Sequence, residues 1–201
     1  MTDLSFDLRG TASNHGDAIP RDHRYQLACE LERLLPWSVD DPSFGIHTIQ
    51  GAVTQNDELL LNHRSRMVLR AAKSRVESLK ALSGQTIQLG NARLTFGSMR
   101  EKPINLHTPL YAHCVTTGGD DEASFNQVVM SELDRLEIDA RFICGRRQTI
   151  RLPDGDIYGF SLMLHGISVP DAVRIQETGL GLHRRLGCGI FIPHKSIKAL
   201  D

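Results

Sequence analysis

The segment Gly179 to Pro193, GLGLHRRLGCGIFIP, has the residue types of a polyanion-binding loop. Two Gly-x-Gly pairs, Gly179/Gly181 and Gly187/Gly189, surround His183, Arg184 and Arg185. Glycine reaches backbone angles closed to other residues, and with no Cβ it lets a ligand touch the main chain. Successive N–H groups in such a loop make a concave anion site. The arginines add planar, permanently charged forks suited to phosphate, and Lys195 offers a further cation just beyond. A dinucleotide-binding motif is also rich in Gly-x-Gly, but it must follow a strand and open a helix inside a βαβ unit. Here the glycines follow a helical pattern and lead into a short apolar run, Cys188 to Ile192. That context excludes the dinucleotide reading. The plain alternative is a glycine-rich connection carrying two solvated arginines.

Proton transfer near neutral pH would fall to histidine, and the chain has nine. His23 stands at the start of a helical pattern, at the end of its apolar stripe. It is either a proton-transfer group or a helix-start residue bonded to backbone. His47, within FGIHTIQG, lies in or beside a strand and is either a proton-transfer group or a structural strand residue. His183 and His194 flank the basic loop, where ligand contact suits them better than proton transfer. His15, His63, His107, His113 and His165 have no supporting context. Arg146, Arg147 and Arg151 sit on a hairpin, a ribbon that fits a nucleic-acid groove or is simply solvated. Arg64, Arg66 and Arg70 alternate along a strand and so share a face.

The elements that position these residues follow from periodicity. Asp3–Arg9 alternates as a strand, and Asp22–Leu35 is a helix between Pro20 and Pro36, with Leu27, Ala28, Leu31, Leu34 and Leu35 inward. Strands are expected at 44–49 and 58–69, a second helix at 71–82 ending before Gly84, and strands at 86–89 and 92–96 about Gly90-Asn91. The order is βαββαβ, and it recurs. A strand at 110–117 precedes a helix at 122–136. Strands at 141–152 and 157–166 flank the turn Pro153-Asp154-Gly155-Asp156. A helix opens at the capping signal Ser168-Val169-Pro170-Asp171 and stops at Gly179. The last strand is expected at 188–192. This is an α+β chain of two tandem ferredoxin-like domains, 1–105 and 106–201, each an antiparallel sheet of the kind found in RNA-recognition modules.

Composition sets the limits. With 201 residues and 40% hydrophobic content, the chain can build two cores of about 100 residues each. No apolar run suits a bilayer and Met1-Thr2-Asp3 opens no signal-peptide pattern, so a cytoplasmic protein without membrane contact is expected. Cys29, Cys114, Cys144 and Cys188 are scattered, which argues against zinc or a disulfide scaffold; no metal or cofactor is expected. The net charge of −1 conceals a basic end, since residues 140–201 carry nine Lys/Arg against five Asp/Glu. A near-neutral chain will not grip nucleic acid indiscriminately, but a local polyanion site fits. Aromatic residues are only 5%, so contact through phosphates suits the composition better than base stacking.

These residues resemble a known family. Tandem ferredoxin-like halves closed by GLGLHRRLGCGIFIPH are similar to the CRISPR-associated repeat-processing endoribonucleases, notably the myxobacterial-type branch of type I systems. FDLRG (6–10), IPRDHRYQL (19–27), FGIHTIQG (44–51) and GRRQTIRLPDGDIYGFSL (145–162) extend the likeness over nearly the whole chain. The resemblance implies binding of a CRISPR repeat stem-loop and one metal-independent cut at the 3′ base of the stem. A 2′-hydroxyl would attack, leaving a 2′,3′-cyclic phosphate, and the protein would stay on its product as a subunit of a type I effector complex. It implies His23 or His47 as the catalytic histidine. It implies RNA contact by Gly179, Gly181, His183, Arg184, Arg185, Gly187, Gly189 and Lys195, with Arg146, Arg147 and Arg151 on the hairpin. Two other readings stay open: a non-catalytic hairpin-binding subunit, and a small-molecule sensor using the loop for a nucleotide phosphate.

Overall fold

The computed structural model describes residues 1–10, 18–62 and 65–194. The chain divides into two compact units, Met1–Pro103 and Ile104–Asp201.

The first unit is built on β1 (Thr2–Gly10), α1 (Arg24–Leu34), β3 (Gly45–Ile46), β6 (Arg66–Ala71), α2 (Val76–Lys80), β7 (Thr86–Leu89) and β8 (Ala92–Pro103). Its main sheet has the order β3-β6-β1-β8-β7, with every pairing antiparallel. Leu4, Phe6 and Leu8 of β1 are buried with Met67 and Leu69 of β6 and Leu94 and Phe96 of β8. Phe6 and Phe96 meet edge to face at 5.5 Å. Leu27, Ala28 and Leu31 form the buried stripe of α1, as the 3.6-residue period requires.

Two expectations are corrected here. The run 58–69 is not one strand. β5 (Glu58–Leu60) joins β2 (Ala18–Pro20) and β4 (Ala52–Val53) in a separate small sheet, while β6 joins the main one. Between them Ser65 N–H donates to the Asn62 carbonyl at 2.9 Å, and Asn62 N–H donates to Ser65 Oγ at 3.0 Å. These two bonds lie between the ladders of β5 and β6. The helix expected at 71–82 shrinks to α2 behind a 3-10 turn at Lys73–Arg75. Ala71 is the last residue of β6, opposite Thr2, and Ala72 is extended.

The second unit contains β9 (Leu110–Val115), α3 (Glu122–Arg135), β10 (Arg141–Ile150), β11 (Ile157–His165), α4 (Val169–Thr178) and β12 (Ile192–Pro193), with sheet order β10-β11-β9-β12. Asp121 caps α3 through Ser124 N–H, and Ser168 caps α4 through Asp171 N–H. Such caps satisfy donors that the first helical turn leaves open. Phe125, Val129, Leu133, Leu162, Leu164, Ile175 and Phe191 fill one core under the sheet. The final strand lies later than the sequence suggests. Residues 188–191 are buried loop, and the short strand that pairs in register with β9 is Ile192–Pro193.

In both units the first and third strands are central, the fourth flanks the first and the second flanks the third. That is the ferredoxin-like topology, and β7 is an added hairpin partner of β8 in the first unit.

Candidate functional site

Helix α4 ends where Gly179 turns to φ 74°. The chain then folds back on the end of β9. Leu182 N–H donates to the Thr116 carbonyl at 2.8 Å, and Gly189 N–H donates to the Cys114 carbonyl at 2.8 Å. Between them His183 takes φ 60°, ψ 40°, and Arg184–Leu186 forms a 3-10 turn closed by Gly187 at φ 77°. A Cβ on Gly181 would collide with the Thr116 carbonyl, and one on Gly189 with the Leu180 carbonyl. The glycines therefore serve first to pass two chain segments tightly over a strand end. The amides of Leu182, Leu186, Gly187, Cys188 and Gly189 all bond within the protein. The open row of N–H groups expected from the Gly-x-Gly pairs is thus largely closed at these positions.

The two arginines divide their roles. Arg184 is half-buried, donates to the Gln176 carbonyl in the last turn of α4 at 3.3 Å, and lies where a Cβ on Gly179 would be. A cation at the carbonyl end of a helix is stabilised by the helix dipole. Arg184 is thus tied to the end of α4 on one nitrogen of its fork. Arg185 is exposed. His183 has Nδ1 3.0 Å from Thr116 Oγ1, and that hydroxyl donates to the Leu182 carbonyl at 2.9 Å. Burial, and then the charge of Arg185, hold the ring's pKa below the usual histidine value.

His194 is tied by its backbone N–H to the Pro109 carbonyl, and its ring lies 5.4 Å from Tyr111. Tyr111 also meets His113 edge on at 5.0 Å. This three-ring cluster lies on the sheet face opposite the buried Leu110 and Ala112. The alternation of Leu110-Tyr111-Ala112-His113 signals which face these rings take, but not that they meet His194. Lys195 lies outside the described residues, as do His15, His63 and Arg64.

The hairpin arginines lie at a sheet edge, since β10 is an outer strand. A register shift between Cys144 and Arg147 places Gly145 and Arg146 in a bulge, a device that re-aims side chains. Arg146, Arg147 and Arg151 are exposed. Arg147 stacks over Tyr158 at 4.3 Å and approaches Asp120 at 3.5 Å, so its fork is held flat against the strand pair.

In the first unit, His23 is only 2% exposed and both ring nitrogens are engaged. Nδ1 donates to the Pro20 and Arg21 carbonyls at 3.1 Å each, and Nε2 accepts from Ile49 N–H at 3.2 Å. Burial pushes its pKa down. A ring so held has no nitrogen for a substrate. The structure makes His23 a staple joining the start of α1 to the strand region that follows it, the backbone-bonded alternative of the two sequence readings.

His47 has a different environment. Its Nε2 is 3.6 Å from Asp3 Oδ1, an ion-pair rather than a hydrogen-bond separation. Asp3 is gripped by the Arg70 fork, Nε to Oδ1 at 2.7 Å and NH2 to Oδ2 at 2.9 Å. Burial would raise the Asp3 pKa, but the Arg70 hydrogen bonds and charge, with His47 alongside, hold it far below the usual carboxylate range. Arg70 is 1% exposed, so it is a buried partner of Asp3. The register places Lys102 beside Asp3 and Arg100 beside Ser5 on β8, and both basic residues are exposed. Sequence reasoning missed Asp3, because its partners lie dozens of positions away.

Comparison with known proteins completes the picture. A family model described as Cas6 Crispr matches residues 2–196. The CRISPR-associated endonuclease Cas6 of Myxococcus xanthus strain DK1622 is 33% identical over 194 residues, covering 96% of this chain and 81% of that protein. Among solved structures, a CRISPR-associated protein Cas6 superposes with a TM-score of 0.70 at 12% identity, covering 96% of this chain and 99% of the other. A Cas6-related protein from Pyrococcus furiosus gives 0.69 at 14% identity, covering 98% and 99%. The endoribonuclease Cse3 bound to a 19-nucleotide RNA gives 0.51 at 8% identity, covering 94% and 96%. At these identities the solved structures establish a shared fold. The family model spans nearly every residue and the Myxococcus relative shares one residue in three, so the chain belongs to the Cas6 family of CRISPR-associated proteins.

Proposed function

We propose that this protein is a cytoplasmic endoribonuclease that binds the stem-loop of a CRISPR repeat transcript and cuts the precursor once, at the 3′ base of the stem. The observation that carries the reading is one-third identity to a Cas6 endonuclease over 96% of the chain. The cut is metal-independent. A base takes the proton of the 2′-hydroxyl, the 2′-oxygen attacks the adjacent phosphorus, and the 5′-oxygen leaves with a proton, giving a 2′,3′-cyclic phosphate. His47 is the proton-transfer residue, worth about 10²–10⁴ in rate. Asp3 orients its ring from 3.6 Å and is itself fixed by Arg70. Such a buttressed imidazole is the usual form of a general acid–base group. Arg185, Arg146, Arg147 and Arg151 carry phosphate contacts, as does Lys195; Arg184 and the four glycines hold the loop's shape. The enzyme stays on its product hairpin as a subunit of a type I effector complex.

The test is incubation of the purified protein with end-labelled repeat RNA in EDTA. A single product, abolished by a 2′-deoxy substitution at the scissile nucleotide, is the expected result. Tight binding with no product would instead make the protein a hairpin-holding subunit.

A further inference from the structure

Five residues of the loop have positive φ, and four of them are glycine. His183 is the exception. Left-handed backbone is strained for a residue with a side chain, and glycine would make the same turn more cheaply. The His183 carbonyl accepts from both Leu186 N–H and Cys188 N–H, so the surrounding turn enforces the angle. What the imidazole contributes must therefore lie in its side-chain chemistry.

The hydrogen bonds fix which nitrogen carries the proton. A carbonyl only accepts, so both contacts are hydrogen bonds only when the buried Thr116 hydroxyl gives its one proton to Leu182, 2.9 Å away. Thr116 Oγ1 is then the acceptor for His183 Nδ1 at 3.0 Å, and Nδ1 must be the N–H. The lone pair stands on Nε2 of a ring at an exposed position of the loop. Burial and Arg185 both disfavour a second proton. A neutral imidazole in this tautomer accepts at Nε2, and it has nothing to donate there to a phosphate oxygen.

We propose that His183, held by Thr116, is an acceptor-only contact of the loop. It takes a hydrogen bond from a donor on the RNA, either a ribose 2′-hydroxyl or an exocyclic amino group, while the exposed Arg185 beside it takes the phosphate. The inference rests on the RNA-binding reading above and assigns chemistry within it. A ribose donor would make the loop a discriminator of RNA from DNA.

The test uses the full chain and a repeat stem-loop ending at its 3′ base, which leaves nothing to cut. His183→Gly should bind about five- to tenfold more weakly, the value of one neutral hydrogen bond, and should melt within a few degrees of wild type. His183→Asn, which also tolerates left-handed backbone, is the second variant should the glycine unfold. Neither should alter the slope of log K against log salt, whereas Arg185→Ala should reduce it by about 0.7–0.9. Single 2′-deoxy substitutions, and single bases lacking the amino group, then locate the donor. One substitution should weaken wild-type binding by the same factor and leave His183→Gly unaffected. A 2′-deoxy position identifies ribose, and an amino-less base identifies the base. Wild-type binding with unchanged His183→Gly affinity, a reduced salt slope in that variant, or no coupled position would overturn the inference alone. Failure of the wild type to bind any stem-loop would overturn the RNA reading with it.

Discussion

Replacing His23 with alanine separates a structural histidine from a catalytic one. The substitution leaves Ile49 N–H without its acceptor beside a side chain that is 2% exposed, at a cost of about 1–3 kcal/mol. It also removes the Nδ1 donor to the Pro20 and Arg21 carbonyls, a further ~1 kcal/mol. A total near ~2–4 kcal/mol would lower the melting temperature of a unit this size by roughly 10–25 °C. Cutting of repeat RNA per folded molecule, measured well below the transition, should remain. The pH dependence carries the sign. The folded-state pKa lies below the unfolded value of about 6.5, so the unfolded chain binds the proton first as pH falls. This stabilisation is complete above that value and fades below it, by at most ~1.4 kcal/mol per pH unit. The gap in stability between wild type and His23→Ala should therefore narrow from pH 7.5 to 5.5 in urea melts. A gap that widens in acid, or a cutting rate lost while the fold persists, would refute the staple.

Three further substitutions follow from the pairings and exposures. Asp3→Ala removes the carboxylate that grips the buried Arg70 guanidinium and should cost about 3–5 kcal/mol, read by urea denaturation; a loss below ~1 kcal/mol would mean that the pair contributes little in solution. Arg184→Met and Arg185→Ala should differ in kind. The first should lower the melting temperature through loss of the Gln176 contact, while the second, at an exposed residue, should reduce the salt dependence of RNA binding.

Much of the fold is visible in local patterns. The spacing of Leu27, Ala28 and Leu31, the Pro153-Asp154-Gly155-Asp156 turn, and the Ser168 cap each act within a few residues, and each element stands near where its pattern places it. The short ladders were not legible. Gly45–Ile46 is a strand only because β6 pairs with it, and the split between β5 and β6 depends on which sheet each joins. The site was harder still. The glycine pattern marked the loop, but an anion cradle and a tight crossover over Thr116 demand the same residues. The decisive partners, Arg70 for Asp3 and Thr116 for His183, each lie 67 positions away, where no periodicity reaches. The two readings of His23 differ by one contact, Ile49 N–H on its Nε2, which lies 26 positions away.

Proton transfer by His47 in RNA cleavage is read out by single-turnover cutting of a labelled repeat hairpin by His47→Ala in EDTA. The expected rate is lower by about 10²–10⁴, with hairpin affinity within about twofold of wild type. Cutting at the wild-type rate would contradict it, as would a loss of affinity as large as the loss of rate.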